Sequence, residues 1–149
     1  MGRFRYRMQN ILNIKEKLET QAKNEFAAAN AELLDEQDKL AQMLAHNKEI
    51  EEESRRLRLR ESLSIKDIKD NTLSAEIQKE KMKLQALRIH AAEKKVEQKR
   101  EAMVNLMKER KTHEILKEKA FEQFLLDEKA DESKQIDQLT SYTYGQNKQ

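Results

Sequence analysis

Proline is absent from this 149-residue chain, and its two glycines stand at positions 2 and 145. The residues that most readily break a helix are therefore missing from the whole interior of the sequence. Charged residues make up 39% of the chain, and its mean hydropathy of -1.02 is too polar for a compact globule of this length. The sequence predicts long α-helices joined along a narrow apolar face, in one elongated unit over residues 1–149.

The charge balance and the absence of cysteine restrict the class of protein. Thirty basic residues nearly cancel 28 acidic ones, so the formal net charge of +2 does not predict disorder driven by charge repulsion. No cysteine is present, which is typical of a reducing compartment and favours a cytoplasmic location. No apolar run approaches the roughly 18 residues that span a bilayer, and the first residues do not have the pattern of a secretory signal.

Apolar residues in the first third of the chain recur at spacings of three and four, the pattern of a heptad repeat. The first set is Phe4, Met8, Ile11, Leu18, Ala22 and Ala29. The second set follows after a shift of phase: Leu33, Leu40, Met43, Asn47, Ile50 and Leu57. One helix from about residue 5 to about residue 60, with a single stutter in its repeat, accommodates both sets.

A second apolar stripe follows and predicts a helix from about residue 65 to about residue 141. Its members are Ile68, Leu73, Ile77, Leu84, Leu87 and Ala91, and then, after a slip of about one residue, Val96, Met103 and Leu106. Beyond these, Arg110, His113 and Lys117 occupy the apolar positions until Ala120 and Phe124 restore them. The far end of this helix therefore depends less on a partner within the chain.

The connection between the two helices is predicted at about residues 61–64, since Ser64 and Asp67 have the spacing of a capping box. Leu63 and Ile68 stand at the positions of a hydrophobic staple. A turn at residues 70–71 would instead set Ile11 against Asp131 and is disfavoured. Folding the chain near residue 62 sets Leu40 against Leu84 and brings Phe4 to Phe121 or Phe124. The predicted fold is all-α: a long antiparallel two-helix coiled-coil hairpin whose C-terminal helix overhangs the N-terminus.

The sequence carries no motif for catalysis, cofactor binding or metal binding. It has no glycine-rich phosphate loop and no nucleophile and base pair, and its three histidines share no ligand spacing. The cations between residues 55 and 60 follow three glutamates at helix-pairing distance, which favours a solvated helix face over a nucleic-acid site. We therefore expect neither an enzyme nor a nucleic-acid-binding protein.

The start of the chain carries three arginines where a helix dipole favours anions. Two interpretations are compatible for Arg3, Arg5 and Arg7. They pair with acidic residues of the second helix, namely Glu118, Glu122, Asp127 or Glu128, or they contact an acidic surface of another protein.

Both ends of the sequence resemble a known family. Residues 4–12, FRYRMQNIL, resemble the aromatic and basic start of the flagellar type III export protein family FliJ. Residues 106–111, LMKERK, and residues 127–130, DEKA, are similar to the family's basic segment and to the acidic signature that follows it. The order and spacing of these motifs, together with the length and helical pattern, extend the resemblance over essentially the whole chain.

The resemblance implies a non-enzymatic cytoplasmic stalk of the flagellar export machine, similar to the central γ subunit of rotary ATPases and peripheral to the inner membrane through its partners alone. It implies as partners the export ATPase hexamer, the export gate protein FlhA and export chaperones. The residues implied at the ATPase are Phe4, Arg5, Arg7, Arg110, Lys111, Asp127 and Glu128. Those implied at the gate are Leu73 and Ile77, although the aromatic and glutamine-rich segment common there in the family is missing.

Two other functions are alternatives to this interpretation of the sequence. A generic dimeric coiled-coil scaffold would pair its apolar stripes between chains, whereas the complementary stripes within this chain favour a monomeric hairpin. Binding of polyanions or membrane surfaces through the arginine clusters would require a strong local positive charge, which the nearly neutral chain does not favour.

Overall fold

The computed structural model describes residues 2–147 and contains two helices, α1 at Gln9–Arg58 and α2 at Ile65–Asn147. They pack against each other as a helical hairpin, which confirms the predicted fold class. The first helix begins later than predicted, because residues 2–6 are not helical and α1 has no acidic residue in its first turn to offset the macrodipole. The second helix continues beyond the predicted end near residue 141. The predicted single unit also includes residues 1, 148 and 149, which lie outside the described part.

The described chain divides into two compact units, which we treat separately. The chain-end unit joins the residues up to Gln21 with those from Val104 onward, and the turn unit comprises Ala22–Met103. Each unit contains a piece of α1 and a piece of α2. The organisation of residues 1–149 as one domain stays a prediction.

The connection between the helices lies between Arg58 and Ile65. The predicted N-cap of α2 is confirmed, since the Ser64 hydroxyl oxygen accepts a hydrogen bond from the Asp67 amide at 3.3 Å. The Asp67 carboxylate lies 3.8 Å from the Arg60 guanidinium, across the turn. Leu63 remains exposed, so the predicted staple with Ile68 buries little of its side chain.

Burial along α1 follows one unbroken heptad repeat, so the predicted stutter is wrong. The repeat includes Leu12 and Glu19 instead of Ile11 and Leu18. Glu19 is 4% exposed. The apolar pattern did not predict an acidic residue at a buried position. We call the positions of this repeat, and those of the matching repeat on α2, the seam. On α1 the seam is Leu12, Lys15, Glu19, Ala22, Phe26, Ala29, Leu33, Glu36, Leu40, Met43, Asn47, Ile50, Ser54 and Leu57.

Burial along α2 also follows one unbroken repeat, but the predicted stripe is wrong over residues 73–91. Leu73, Ile77, Leu84 and Leu87 are 48–67% exposed, and Leu84 therefore does not face Leu40 as predicted. From Val96 to Phe124 all predicted positions lie in the seam, Arg110, His113 and Lys117 among them, and Lys99 is a further seam position that was not predicted. In the first part of α2 the seam is Ile68, Asn71, Ala75, Gln78, Met82, Gln85, Ile89 and Ala92.

Three amides in this part of the seam connect α2 to the backbone of α1 within the turn unit. The Asn71 amide donates to the Ile50 carbonyl at 3.1 Å, and the Gln78 amide donates to the Met43 carbonyl at 2.8 Å. The Gln85 amide donates to the Glu36 carbonyl at 2.8 Å. Donors and acceptors are each seven residues apart, so the same contact repeats once per heptad in an antiparallel arrangement. We call these three residues the amide ladder, and they explain why polar residues occupy the seam.

Candidate functional site

The start of the chain is held against α2 by an aromatic cluster in the chain-end unit. The Phe4 ring centroid lies 5.1 Å from that of Phe121 and 5.4 Å from that of Phe124, which confirms the predicted contact. The backbone amide of Gly2 donates to a Glu128 carboxylate oxygen at 3.1 Å. Edge-to-face ring packing and a bond to the backbone thus fix the non-helical segment before α1.

The three arginines of this segment remain exposed to solvent. Arg3, Arg5 and Arg7 form no ion pair with another described residue, so the interpretation that they pair with acidic residues of α2 is wrong. The carboxylate of Glu128 instead accepts the bond from Gly2. Three uncompensated cations on an ordered segment can exchange water for an acidic partner at low cost.

A shallow groove adjoins these arginines. Its lining residues are Arg3, Phe4, Arg5, Tyr6, Gln9 and Lys117. The Tyr6 hydroxyl is buried without a hydrogen-bond partner among the described residues. The cations of the groove are accessible and would attract an acidic segment, whereas the Tyr6 hydroxyl lies beneath its surface.

Arg110 is directed into the seam and not toward solvent. Its guanidinium donates to the buried carboxylate of Glu19 and, at 2.8 Å, to Glu114. The hydrogen bond to Glu19, and then the one to Glu114, raise the pKa of the guanidinium above its ordinary value. A nearby pair joins Lys15 to Glu109 at 2.8 Å. Arg110 therefore links α2 to α1, whereas its neighbour Lys111 is exposed.

We expect Arg110→Gln and Glu19→Gln to lower the midpoint of thermal unfolding by a few degrees each, because each removes the charged hydrogen bond between Arg110 and the buried Glu19 carboxylate. Lys111→Gln is the matched control and should leave the midpoint unchanged. Far-UV circular dichroism during heating measures all three variants. Equal midpoints for Arg110→Gln and Lys111→Gln would contradict a stabilising role of the link between Arg110 and α1.

The remaining residues named for the ATPase-facing end lie on α2 near the aromatic cluster. Asp127 is exposed and accepts a hydrogen bond from the Gln123 amide at 2.9 Å. Glu128 is half-buried against the start of the chain. The structure thus brings Phe4 and Glu128 together, keeps Arg5 and Arg7 beside them, and places Arg110 within the seam.

Beyond Glu128, the described residues of α2 are exposed as far as residue 146. This overhang has no counterpart in α1 and carries Ile136, Leu139 and Tyr142 exposed. The C-terminal overhang of the predicted hairpin is therefore present in the chain-end unit.

A second surface lies on the turn unit, on the face of α2 opposite the seam. Leu73, Ile77, Leu84 and Leu87 form it, and we call them the outer stripe. They follow the seam residues Asn71, Ala75, Met82 and Gln85 by two positions, and two residues correspond to about half a turn of an α-helix. Their spacings of four, seven and three residues are those of the apolar positions in a heptad repeat. The outer stripe is thus an exposed surface suited to a helical partner.

Residues 2–147 contain no group of three or more acidic, histidine or cysteine side chains that could hold a metal ion. Within the same residues, neither helix has a segment long and apolar enough to cross a membrane.

The fold and these surfaces define a class: a helical hairpin with an exposed basic chain end and an exposed apolar stripe on its turn unit. The profile of the FliJ family, described as Flagellar FliJ protein, matches residues 4–149. The chain belongs to the FliJ family, and this membership implies a non-catalytic role related to flagellar protein export. Among curated proteins and solved structures, none matches the chain.

Proposed function

We propose that this chain is a non-enzymatic stalk or adaptor of the flagellar type III export apparatus. Its paired chain ends bind the ring of the export ATPase, and the outer stripe binds the export gate protein FlhA. Export chaperones are a further class of partner. In this proposal the chain works in the cytoplasm and reaches the inner-membrane export apparatus through these partners.

The observation that carries the proposal is the uncompensated charge at the chain end. Arg5 and Arg7 follow Phe4, whose ring packs against α2, and they form no ion pair with another described residue. Arg5 lines the groove together with Tyr6 and Lys117, and Arg7 directly follows Tyr6. A basic surface on a backbone held in this way favours an acidic protein partner, because the segment itself needs little further ordering on binding.

The outer stripe supports the second contact. Leu73 and Ile77, the residues implied at the gate by the family resemblance, are free of the seam and exposed. Leu84 and Leu87 extend the same surface. An amphipathic helix of a partner can lay its apolar face along such a stripe, in the manner of a coiled-coil pair.

We expect the double substitution Arg5→Glu and Arg7→Glu to weaken association with the export ATPase by about tenfold or more, since it places like charges against an acidic surface. A pull-down at moderate salt measures the association, and circular dichroism verifies that helix content is retained. Arg55→Glu with Arg58→Glu reverses two exposed charges near the hairpin turn and serves as the matched control. Unchanged association of the Arg5 and Arg7 variant would remove this end from the ATPase interface.

A further inference from the structure

The connection between the helices exposes three large aliphatic side chains. Leu59, Leu63 and Ile65 are 60–83% exposed, and they stand within seven residues of one another at the place where the chain reverses. Isolated exposed aliphatics are ordinary on protein surfaces, but three of them at one turn concentrate apolar surface there. They lie outside the seam, which ends at Leu57 on α1 and begins at Ile68 on α2.

The same segment concentrates positive charge. Residues 55–66, which we call the hairpin tip, contain five cations, namely Arg55, Arg56, Arg58, Arg60 and Lys66, and one carboxylate, Glu61. Two of these cations are compensated: Arg56 lies 2.8 Å from Glu53, and Arg60 lies 3.8 Å from Asp67.

The other three cations of the tip are exposed, and Arg55, Arg58 and Lys66 form no ion pair with another described residue. The excess of positive charge is confined to the twelve residues of the tip, because three glutamates at residues 51–53 precede them on α1 and Asp67 follows them on α2. The uncompensated charge of the tip is complementary to an anionic surface.

We propose that the hairpin tip binds directly to the surface of an anionic lipid bilayer. The aliphatic side chains enter the boundary between headgroups and acyl chains, and the three uncompensated cations bind lipid phosphates. The insertion is shallow, because the non-helical backbone of the turn must keep its polar groups in water or among headgroups. This contact is independent of the proteins that bind the chain ends and the outer stripe.

The apolar side chains favour a lipid surface over a nucleic acid. Phosphate binding to DNA or RNA requires cations alone, and no aromatic side chain lies within residues 55–66 to stack on a base. Exposed leucine and isoleucine gain nothing from a phosphate backbone, whereas they gain free energy on entering the acyl boundary of a bilayer.

The test is sedimentation of the full chain with vesicles. We expect binding to vesicles of phosphatidylcholine containing about one third phosphatidylglycerol, and much weaker binding to pure phosphatidylcholine. The triple substitution Leu59→Ser, Leu63→Ser and Ile65→Ser should reduce the affinity by at least about tenfold, because it removes the inserted side chains. Arg55→Gln, Arg58→Gln and Lys66→Gln together should reduce it by on the order of 100-fold.

A control variant distinguishes vesicle binding by the tip from vesicle binding by exposed leucines elsewhere on the chain. Leu34→Ser with Leu126→Ser changes two leucines that are as exposed as those of the tip but lie elsewhere. This variant should bind vesicles like the unaltered chain. Circular dichroism should give the same helix content for all variants, since none of the substituted side chains is buried.

A site-specific probe supplies a second measurement, because the chain contains no cysteine of its own. A polarity-sensitive fluorophore on Ser62→Cys should shift to shorter wavelength when anionic vesicles are added. The same probe on Ala41→Cys, an exposed position of α1, should not shift.

Any one of four results would overturn the proposal. The first is no binding of the unaltered chain to anionic vesicles, and the second is binding that the serine triple variant retains in full. The third is binding to duplex DNA that is as strong as binding to vesicles, for both the unaltered chain and the serine triple variant. That result would show that the tip binds polyanions in general. A probe that shifts equally at both positions would likewise contradict insertion at the tip.

Discussion

Replacing Gln78 and Gln85 together by alanine is expected to lower the free energy of unfolding by about 2–4 kcal/mol. Each substitution removes a hydrogen bond of 2.8 Å to a carbonyl of α1 and leaves a gap in the seam. Gln85 is 1% exposed, so water cannot readily replace its amide. Urea unfolding followed by circular dichroism measures the change.

The control for this experiment is Gln98→Ala with Gln135→Ala, which makes the same change at two exposed positions of α2. Its stability should remain close to that of the unaltered chain, because exposed positions of a helix tolerate alanine well. If both double variants lost the same free energy of unfolding, the hydrogen bonds of the amide ladder would contribute nothing to stability.

Leucine at the same two positions should have a different effect from alanine. Two leucines restore apolar volume to the seam, so the stability should be recovered or exceeded. The pairing should become less specific, since the outer stripe on the opposite face of α2 then offers a similar apolar surface to α1. Cysteines replacing Glu32 and Lys95, whose side chains pair at 3.0 Å, allow the register to be measured by cross-linking. A single cross-linked species in the leucine variant would contradict this role of the ladder.

The amide ladder also explains why the sequence predicted one part of α2 and not another. From Val96 to Phe124 the predicted positions lie in the seam, and there most of the positions are apolar. Between residues 71 and 92 all the leucines and Ile77 lie on the exposed face, while α1 is faced by asparagine, glutamine and alanine together with Met82 and Ile89. An analysis of apolar spacing selects the leucines. It cannot anticipate that amides reach backbone carbonyls of a second helix, because that depends on the distance between the two helices.

A similar limit applies to Glu19 and Arg110. Arg110 was predicted at a seam position, whereas its buried partner Glu19 was not. A lone acidic residue among apolar ones is normally exposed to solvent, so the apolar pattern gave no reason to place Glu19 in the seam. The contacts that the sequence did predict rest on local or unambiguous signals. The Ser64 cap is set by residues within one turn, and Phe4 has few aromatic partners in so polar a chain.

Changing all four leucine and isoleucine residues of the outer stripe to serine should weaken binding to the cytoplasmic part of FlhA by on the order of 100-fold or more. The physical reason is the loss of the apolar surface that a partner helix would bury. Helix content and thermal stability should change little, because Leu73, Ile77, Leu84 and Leu87 are exposed in the hairpin. Isothermal titration calorimetry measures the binding, and circular dichroism measures the fold.

Four other exposed leucines supply the matched control for the outer stripe: Leu34, Leu44, Leu125 and Leu126. Their replacement by serine removes equivalent apolar surface and should leave FlhA binding unchanged. If both variants bound FlhA equally well, the gate contact would lie elsewhere on the chain. If only the stripe variant changed the sedimentation coefficient of the isolated protein, the stripe would join two copies of this chain. The role of a dimerising coiled-coil scaffold would then replace that of a gate-binding stalk, because the same four side chains cannot be buried by both partners at once.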